Sequence, residues 1–117
     1  MNNLVYLAGP IMSVPDYKER FLAAAEELQR DSKWIPVYTA WMPEGWPENV
    51  YMPVCMALLN ECEAICLLPG WENSKGALLE KRYAEYQHKR IFTLAEWERT
   101  QAEIRERLNK GGGRREE

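Results

Sequence analysis

The stretch CEAICLLPGWENSKGALLE, residues 62–80, decides the fold. It reads as an apolar strand, a Pro-Gly-Trp loop, and a helix that opens at Ser74 and carries Glu80 in its second turn. A strand that empties through a small-residue loop into a helix N-terminus presents free backbone N–H groups and the positive end of a dipole. That pairing suits an anionic or polar ligand. Glu80 is then a carboxylate aimed at whatever occupies the position.

The same alternation extends outward in both directions. LVYLA, residues 4–8, is a short apolar run stopped by Gly9-Pro10, the pattern of a strand buried on both faces. Residues 9–15 form a loop, and Asp16 stands where an N-cap belongs. The helix predicted from about Tyr17 to Arg30 places Tyr17, Phe21, Ala24, Ala25 and Leu28 on one stripe at three- and four-residue steps. A second strand is expected at Trp34 to Thr39, then an aromatic, proline-rich loop with Trp41, Pro43, Gly45, Trp46, Pro47 and Tyr51. A helix from about Val50 to Glu61 leads to the third strand, Glu63 to Leu68, and the helix from Ser74 to His88 follows. Arg90 to Thr93 is a fourth strand. In the last helix, about Ala95 to Leu108, the residues Leu94, Trp97, Ile104 and Leu108 make a narrow seam interrupted by Gln101, with Glu103 and Arg107 at i,i+4. The GGGRREE end has no apolar anchor and is expected to be a mobile tail over 110–117.

Strands and helices in this order predict a three-layer α/β domain of flavodoxin-like or Rossmann-like type. Its parallel sheet has about four strands in the order 2-1-3-4, with helices on both faces and right-handed crossovers. The loops after strands 1 and 3 then lie side by side at the carboxyl edge, where open α/β sheets hold their ligands. Gly9-Pro10 and the 69–74 loop are expected to face each other there.

Composition narrows the function classes. A chain of 117 residues, 46% apolar, supports one compact core, assigned to residues 1–109. No apolar run approaches the roughly 20 residues of a membrane span, and the chain reads as cytoplasmic. Three cysteines, Cys55, Cys62 and Cys66, are an odd number without a CxxC pair, so neither a disulfide framework nor a metal site is expected. The net charge of −3 argues against a nucleic-acid polymer as partner.

YLAGP at 6–10, CEAICLLPGW at 62–71 and SKGALLE at 74–80 together resemble the nucleoside 2-deoxyribosyltransferase-like superfamily. They are most similar to a branch of small bacterial and phage proteins patterned YxAGP, then CDAIxLLPGWxxSxGAxxE. The resemblance spans about residues 4–93. It implies cleavage of the N-glycosidic bond of a 2-deoxynucleoside or its 5-monophosphate, by hydrolysis or by transfer to a second base. It implies Glu80 as the nucleophile on the anomeric carbon, with Ser74, Gly76, Tyr6, Gly9, Pro10 and Trp71 around the substrate, and no cofactor. It also implies assembly into a dimer or larger homo-oligomer, for which the final helix or the Tyr38 to Tyr51 loop offers an apolar surface.

Each assignment has a plainer counterpart. Ser74 is also a preferred helix cap, Tyr6 is also a strand core residue, and Trp41, Trp46 and Trp71 serve loop anchoring as readily as base stacking. Lys75, near the helix start, and His88, near its end, fit solvated roles. For Glu80 the chemistry is apt: a carboxylate stabilises or captures the oxocarbenium character that develops as a C–N bond breaks.

One departure from the pattern bears on the chemistry. Relatives carry an aspartate eight residues ahead of the CD pair, where it handles the leaving base. Counting back eight from Glu63 reaches Cys55, and the two aspartates, Asp16 and Asp31, lie elsewhere. Glu63 itself replaces the aspartate of the CD pair. Three possibilities follow: Glu44 or Glu48 from the aromatic loop supplies the acid, the chemistry is altered, or the fold only binds or senses a nucleotide.

Overall fold

A computed structural model describes the backbone of residues 2–115 and the side chains of residues 2–110. Four strands, β1 (Leu4–Ala8), β2 (Ile35–Val37), β3 (Ala64–Leu67) and β4 (Arg90–Thr93), alternate with four helices, α1 (Tyr17–Asp31), α2 (Glu48–Asn60), α3 (Lys75–Tyr86) and α4 (Leu94–Arg115). All three strand pairings are parallel and the order is β2-β1-β3-β4. The fold is therefore the three-layer α/β sheet expected from the alternation.

The two inner strands explain their unbroken apolar sequences, because each face of the sheet is covered. Val5 and Leu7 of β1, with Ala64 and Cys66 of β3, pack on one side against Phe21, Ala24, Ala25 and Leu28 of α1 and against Leu94 and Trp97 of α4. Tyr6 and Ala8, with Ile65 and Leu67, pack on the other side with Cys55 and Leu59 of α2 and Ala77 and Ala84 of α3. Register places Tyr6 beside Ile65 and Ala8 beside Leu67. The three cysteines are free and buried within these two layers.

Helix starts show where local chemistry was read correctly and where it was not. Ser74 caps α3, its Oγ accepting from the Ala77 N–H at 3.2 Å. Asp16 precedes α1 without capping it; its carboxylate turns instead to Arg20 Nε at 3.0 Å, an i,i+4 pair that competes with the cap. At α4, Thr93 and Glu96 form a reciprocal box. The Thr93 N–H donates to Glu96 Oε1 at 2.8 Å and the Glu96 N–H donates to Thr93 Oγ1 at 3.0 Å. Thr93→Ala is expected to lower stability by about 1 kcal/mol, read as a lower urea midpoint with an unchanged slope.

The last helix departs from expectation. Leu94 and Trp97 are buried, but Ile104 and Leu108 are exposed, so the seam docks on the sheet at its beginning and then runs past it. Among the described residues the ion pair on its surface is Glu106–Lys110 at 3.4 Å, not Glu103–Arg107. α4 also extends beyond the Leu108 end expected for it: glycine in a helix costs about 1 kcal/mol per residue but does not forbid it as proline does. It takes in most of the stretch assigned to a tail, and residues 116–117 lie outside the described residues. Among the described residues no helix is long and apolar enough to cross a membrane.

Candidate active site

The carboxyl edge of the sheet is built from two interlocked loops. The Leu68 N–H donates to the Ala8 carbonyl at 2.8 Å, and a Cβ on Gly9 would stand 2.9 Å from the Leu68 Cβ. Gly70 has φ of 91°, the left-handed region that glycine tolerates, and a Cβ there would come within 3.0 Å of Pro10. The 9–10 and 69–74 segments therefore do face one another, and Gly9 is already required by this contact. Trp71, half-buried in the 3₁₀ turn Trp71–Asn73, packs on the α2 and α3 layer with Lys81 Nζ 5.7 Å from its ring centroid.

Below this rim, α3 turns the stripe Ala77, Glu80 and Ala84 toward the sheet. A carboxyl thus occupies a position that an apolar side chain would ordinarily take. Glu80 is 6% exposed, and Tyr6, rising from β1, donates its O–H to Glu80 Oε2 at 2.7 Å. Burial raises the Glu80 pKa from its ordinary 4.5 to about 7, while the Tyr6 hydroxyl and the Cys55 thiol oppose that rise by favouring the anion. Burial and the adjoining carboxylate push Tyr6 well above its usual range, so it stays a donor.

Cys55 does not sit in purely apolar surroundings. Its Sγ lies 3.4 Å from Thr39 Oγ1, and the same Thr39 oxygen is 2.7 Å from the Tyr51 hydroxyl. Thr39 is buried, and Tyr51 sits one helical turn before Cys55 on α2. Burial raises Cys55, and pushes Tyr51 up to about 12. Thr39 and Tyr51 are not among the site residues expected from the sequence, where they stand only as a strand end and a loop aromatic. The available signal was the i,i+4 spacing of Tyr51 and Cys55 on one helix face.

The other sequence candidates are placed as follows. Ser74 and Gly76 are half-buried at the start of α3, and a Cβ on Gly76 would meet Met52 Sδ at an ordinary 3.7 Å. Protein packing therefore does not require glycine at 76. Glu44 is exposed and held by Lys18 Nζ at 3.2 Å; Glu48 is exposed at the first residue of α2. Neither is among the groups that act on the Glu80 carboxyl. Glu63 lies at the opposite edge of the sheet, where it accepts from the Asn2 N–H at 2.8 Å and the Asn3 N–H at 2.5 Å and is shifted below its usual range by those bonds. Trp41 and Trp46 are exposed, Trp41 donating its indole N–H to the Tyr38 carbonyl. Lys75 and His88 are exposed.

Two surface grooves, of about 470 and 250 Å³, lie around Trp34 and Arg90, the larger continuing along Phe92, Glu96 and Trp97, and Glu80 lines neither. Among the described residues no group of three or more His, Cys, Asp or Glu side chains is placed to hold a metal ion.

Residues 3–93 match the family described as Domain of unknown function (DUF4406). Among curated proteins, none matches the chain. Among solved structures the chain is similar to a 2-desoxiribosyltransferase from Leishmania mexicana, with a TM-score of 0.61 and 20% identity. That alignment covers 77% of this chain and 62% of the other, so the chain spans less than two thirds of that enzyme's length. At this identity the likeness is one of fold.

Proposed function

The chain belongs to the DUF4406 family, and from the site it carries we propose that it cleaves the N-glycosidic bond of a 2-deoxynucleoside or its 5-monophosphate, with Glu80 as nucleophile. The observation that carries this reading is the buried Glu80 carboxyl oriented by the Tyr6 O–H at 2.7 Å beneath the rim where open α/β sheets receive ligands. A carboxyl placed on the core-facing stripe of a helix lowers stability when ionised, and such a group is a candidate for chemistry rather than packing.

In the proposed reaction the Glu80 carboxylate attacks the anomeric carbon. The C–N bond breaks as its electron pair moves to the base, which takes up a proton from water. The glycosyl ester is then resolved by water or by a second base. Tyr6 fixes which carboxylate oxygen is free, since Oε2 already accepts its hydrogen bond. Incubation with deoxynucleosides and their 5-monophosphates, followed by chromatography for free base, tests the reading. Base release that survives Glu80→Gln would remove the nucleophile assignment.

Gly76 offers a test of ligand approach. Because a Cβ there meets nothing closer than 3.7 Å, Gly76→Ala is expected to leave the fold intact or to stabilise it by up to about 1 kcal/mol through helix propensity. If the ligand lies against this backbone, base release falls by roughly tenfold or more as the reacting atoms are displaced. Equal turnover in the variant would place the ligand elsewhere.

A second reading is a nucleotide-binding or sensing protein with little turnover. It is favoured by Cys55, buried at the position where relatives carry an acid, and by the 6% exposure of Glu80. Calorimetry showing saturable nucleotide binding without base release, equally tight in Glu80→Gln, would select it. Homo-oligomerisation belongs to the same proposal, and sedimentation velocity reads it directly.

A further inference from the structure

α4 carries an apolar repeat that its own sheet uses only in part. Leu94, Trp97, Gln101, Ile104 and Leu108 recur at alternating steps of three and four, the a and d positions of a heptad, with one polar residue at an a position. Leu94 and Trp97 are buried on the sheet, whereas Ile104 is 41% and Leu108 68% exposed. The larger groove adjoins this seam: it is lined by Trp97, Thr100 and Gln101 of α4 and by Trp34 and Phe92, whose rings stack at 5.8 Å. Exposed apolar residues and an aromatic recess thus lie along one side of one helix.

Charge is divided along the same helix. Near its start stands an acidic pair: burial, and after it the Glu98 carboxylate, raises the pKa of Glu27 on α1. Near its end stand Arg105 and Arg107, both exposed and, among the described residues, in no ion pair. Glu98 and Arg105 are both e positions of the heptad, one repeat apart.

We propose that a second copy of this chain occupies this surface, the two α4 helices packing antiparallel about a two-fold axis, with Ile104 of each against Gln101 of the other and Leu108 of each entering the other's groove beside Trp97. The dimer gives a surface to the homo-oligomerisation proposed above and needs nothing from the glycosidic reaction. Its antiparallel sense follows from the charges. Two antiparallel helices set e positions against e positions, so an axis passing between Ala102 and Glu103 brings Arg105 of one protomer to Glu98 of its partner, twice by symmetry. A parallel pair would set Glu98 at the level of Thr93 and Arg105 at the level of Thr100, leaving the acids uncompensated and the groove empty. Gln101 costs stability at an a position, as a polar residue there does, but fixes the register. The contact is isologous, so it closes at two copies.

Sedimentation velocity on the full chain from roughly 1 to 100 μM is expected to show a monomer–dimer equilibrium. Leu108→Glu and Ile104→Glu are each expected to weaken dimerisation by about a hundredfold or more, because a symmetric interface buries every new charge twice. Both side chains are exposed in the single chain, so circular dichroism should show the fold unchanged. Glu98→Arg should weaken dimerisation by about tenfold, and Glu98→Arg combined with Arg105→Glu should restore it. A chain that stays monomeric throughout overturns the dimer, and so does association undiminished in both Leu108→Glu and Ile104→Glu, which would put the contact elsewhere. Failure of the charge exchange to restore association overturns the antiparallel packing. Glu80→Gln should dimerise as the wild type does. A protein that releases no base and yet dimerises through these residues sustains the interface and removes the enzymatic reading; one that releases base as a monomer removes the interface alone.

Discussion

Glu80→Gln is expected to lower base release by about a thousandfold or more and, at the same time, to make the protein more stable at pH 8. The second half follows from the carboxyl's titration at about 7 in the folded chain against its ordinary 4.5. Below about pH 4.5 the group is protonated in both states and contributes nothing. Between those values the native state keeps a proton that the unfolded chain has released, so native stability falls as pH rises. Above pH 7 the loss is complete, at about 3 kcal/mol. Glutamine cannot ionise and escapes that loss, while its amide oxygen still accepts from Tyr6. Urea unfolding of both proteins at pH 4 and pH 8 measures the effect: nearly equal at pH 4, with the variant ahead at pH 8. A wild type that is the more stable protein at pH 8 would mean that its partners outweigh burial. In the active protein kcat/KM should climb with pH and level off above about 7, as the nucleophile becomes fully charged.

Ile65→Ala carries the largest expected loss of stability. Ile65 is fully buried in β3, in register with Tyr6 on one side and Ile91 on the other, and its side chain belongs to the layer shared with α2 and α3. Truncation removes transfer free energy and leaves a void that a parallel sheet clamped on both sides cannot collapse to fill. The cost is about 2–5 kcal/mol, a large share of the roughly 5–15 kcal/mol that holds a domain of this class. A fall in melting temperature of roughly 10–20 °C is expected, with an unchanged urea slope. Because Tyr6 lies next to the void, base release should fall as well. A variant with wild-type melting would show that the helices can settle onto the sheet.

How far the chain could be read without coordinates is clear from particular residues. LVYLA and AICLL signal buried strands because both faces are covered, and the alternation with helical stripes then leaves one economical parallel order, 2-1-3-4. Ser74 identifies the start of α3 because its capping geometry is local. Asp16 fails the same reading because Arg20, one turn on, competes for its carboxylate. The cluster around Glu80 was half legible. Its position in the second turn of α3 is a matter of counting, but its burial depends on how closely Ala77 and Ala84 allow the helix to approach the sheet. Thr39 lies in a loop whose path no periodicity fixes, and its contact with Cys55 spans 16 positions. Cysteine at 55 stands out in the sequence only as a departure from the pattern that the chain resembles, and it leaves open a substitute acid, altered chemistry or binding alone. The hydroxyls that surround the thiol are visible only in the fold.

The interlock of Gly9 with Leu68 and of Gly70 with Pro10 has a consequence for how such a scaffold can diversify. Two connections wedged together this tightly behave as a keystone: lengthening either one would have to be matched in the other, and a loop grafted from a cousin would not seat alone. New specificity is therefore expected to enter through the segment between β2 and α2. Gly45 there meets no atom within 4 Å of a built Cβ, and insertions around it, beyond the buried Thr39, Ala40 and Met42, can be absorbed without disturbing the carboxyl beneath the arch.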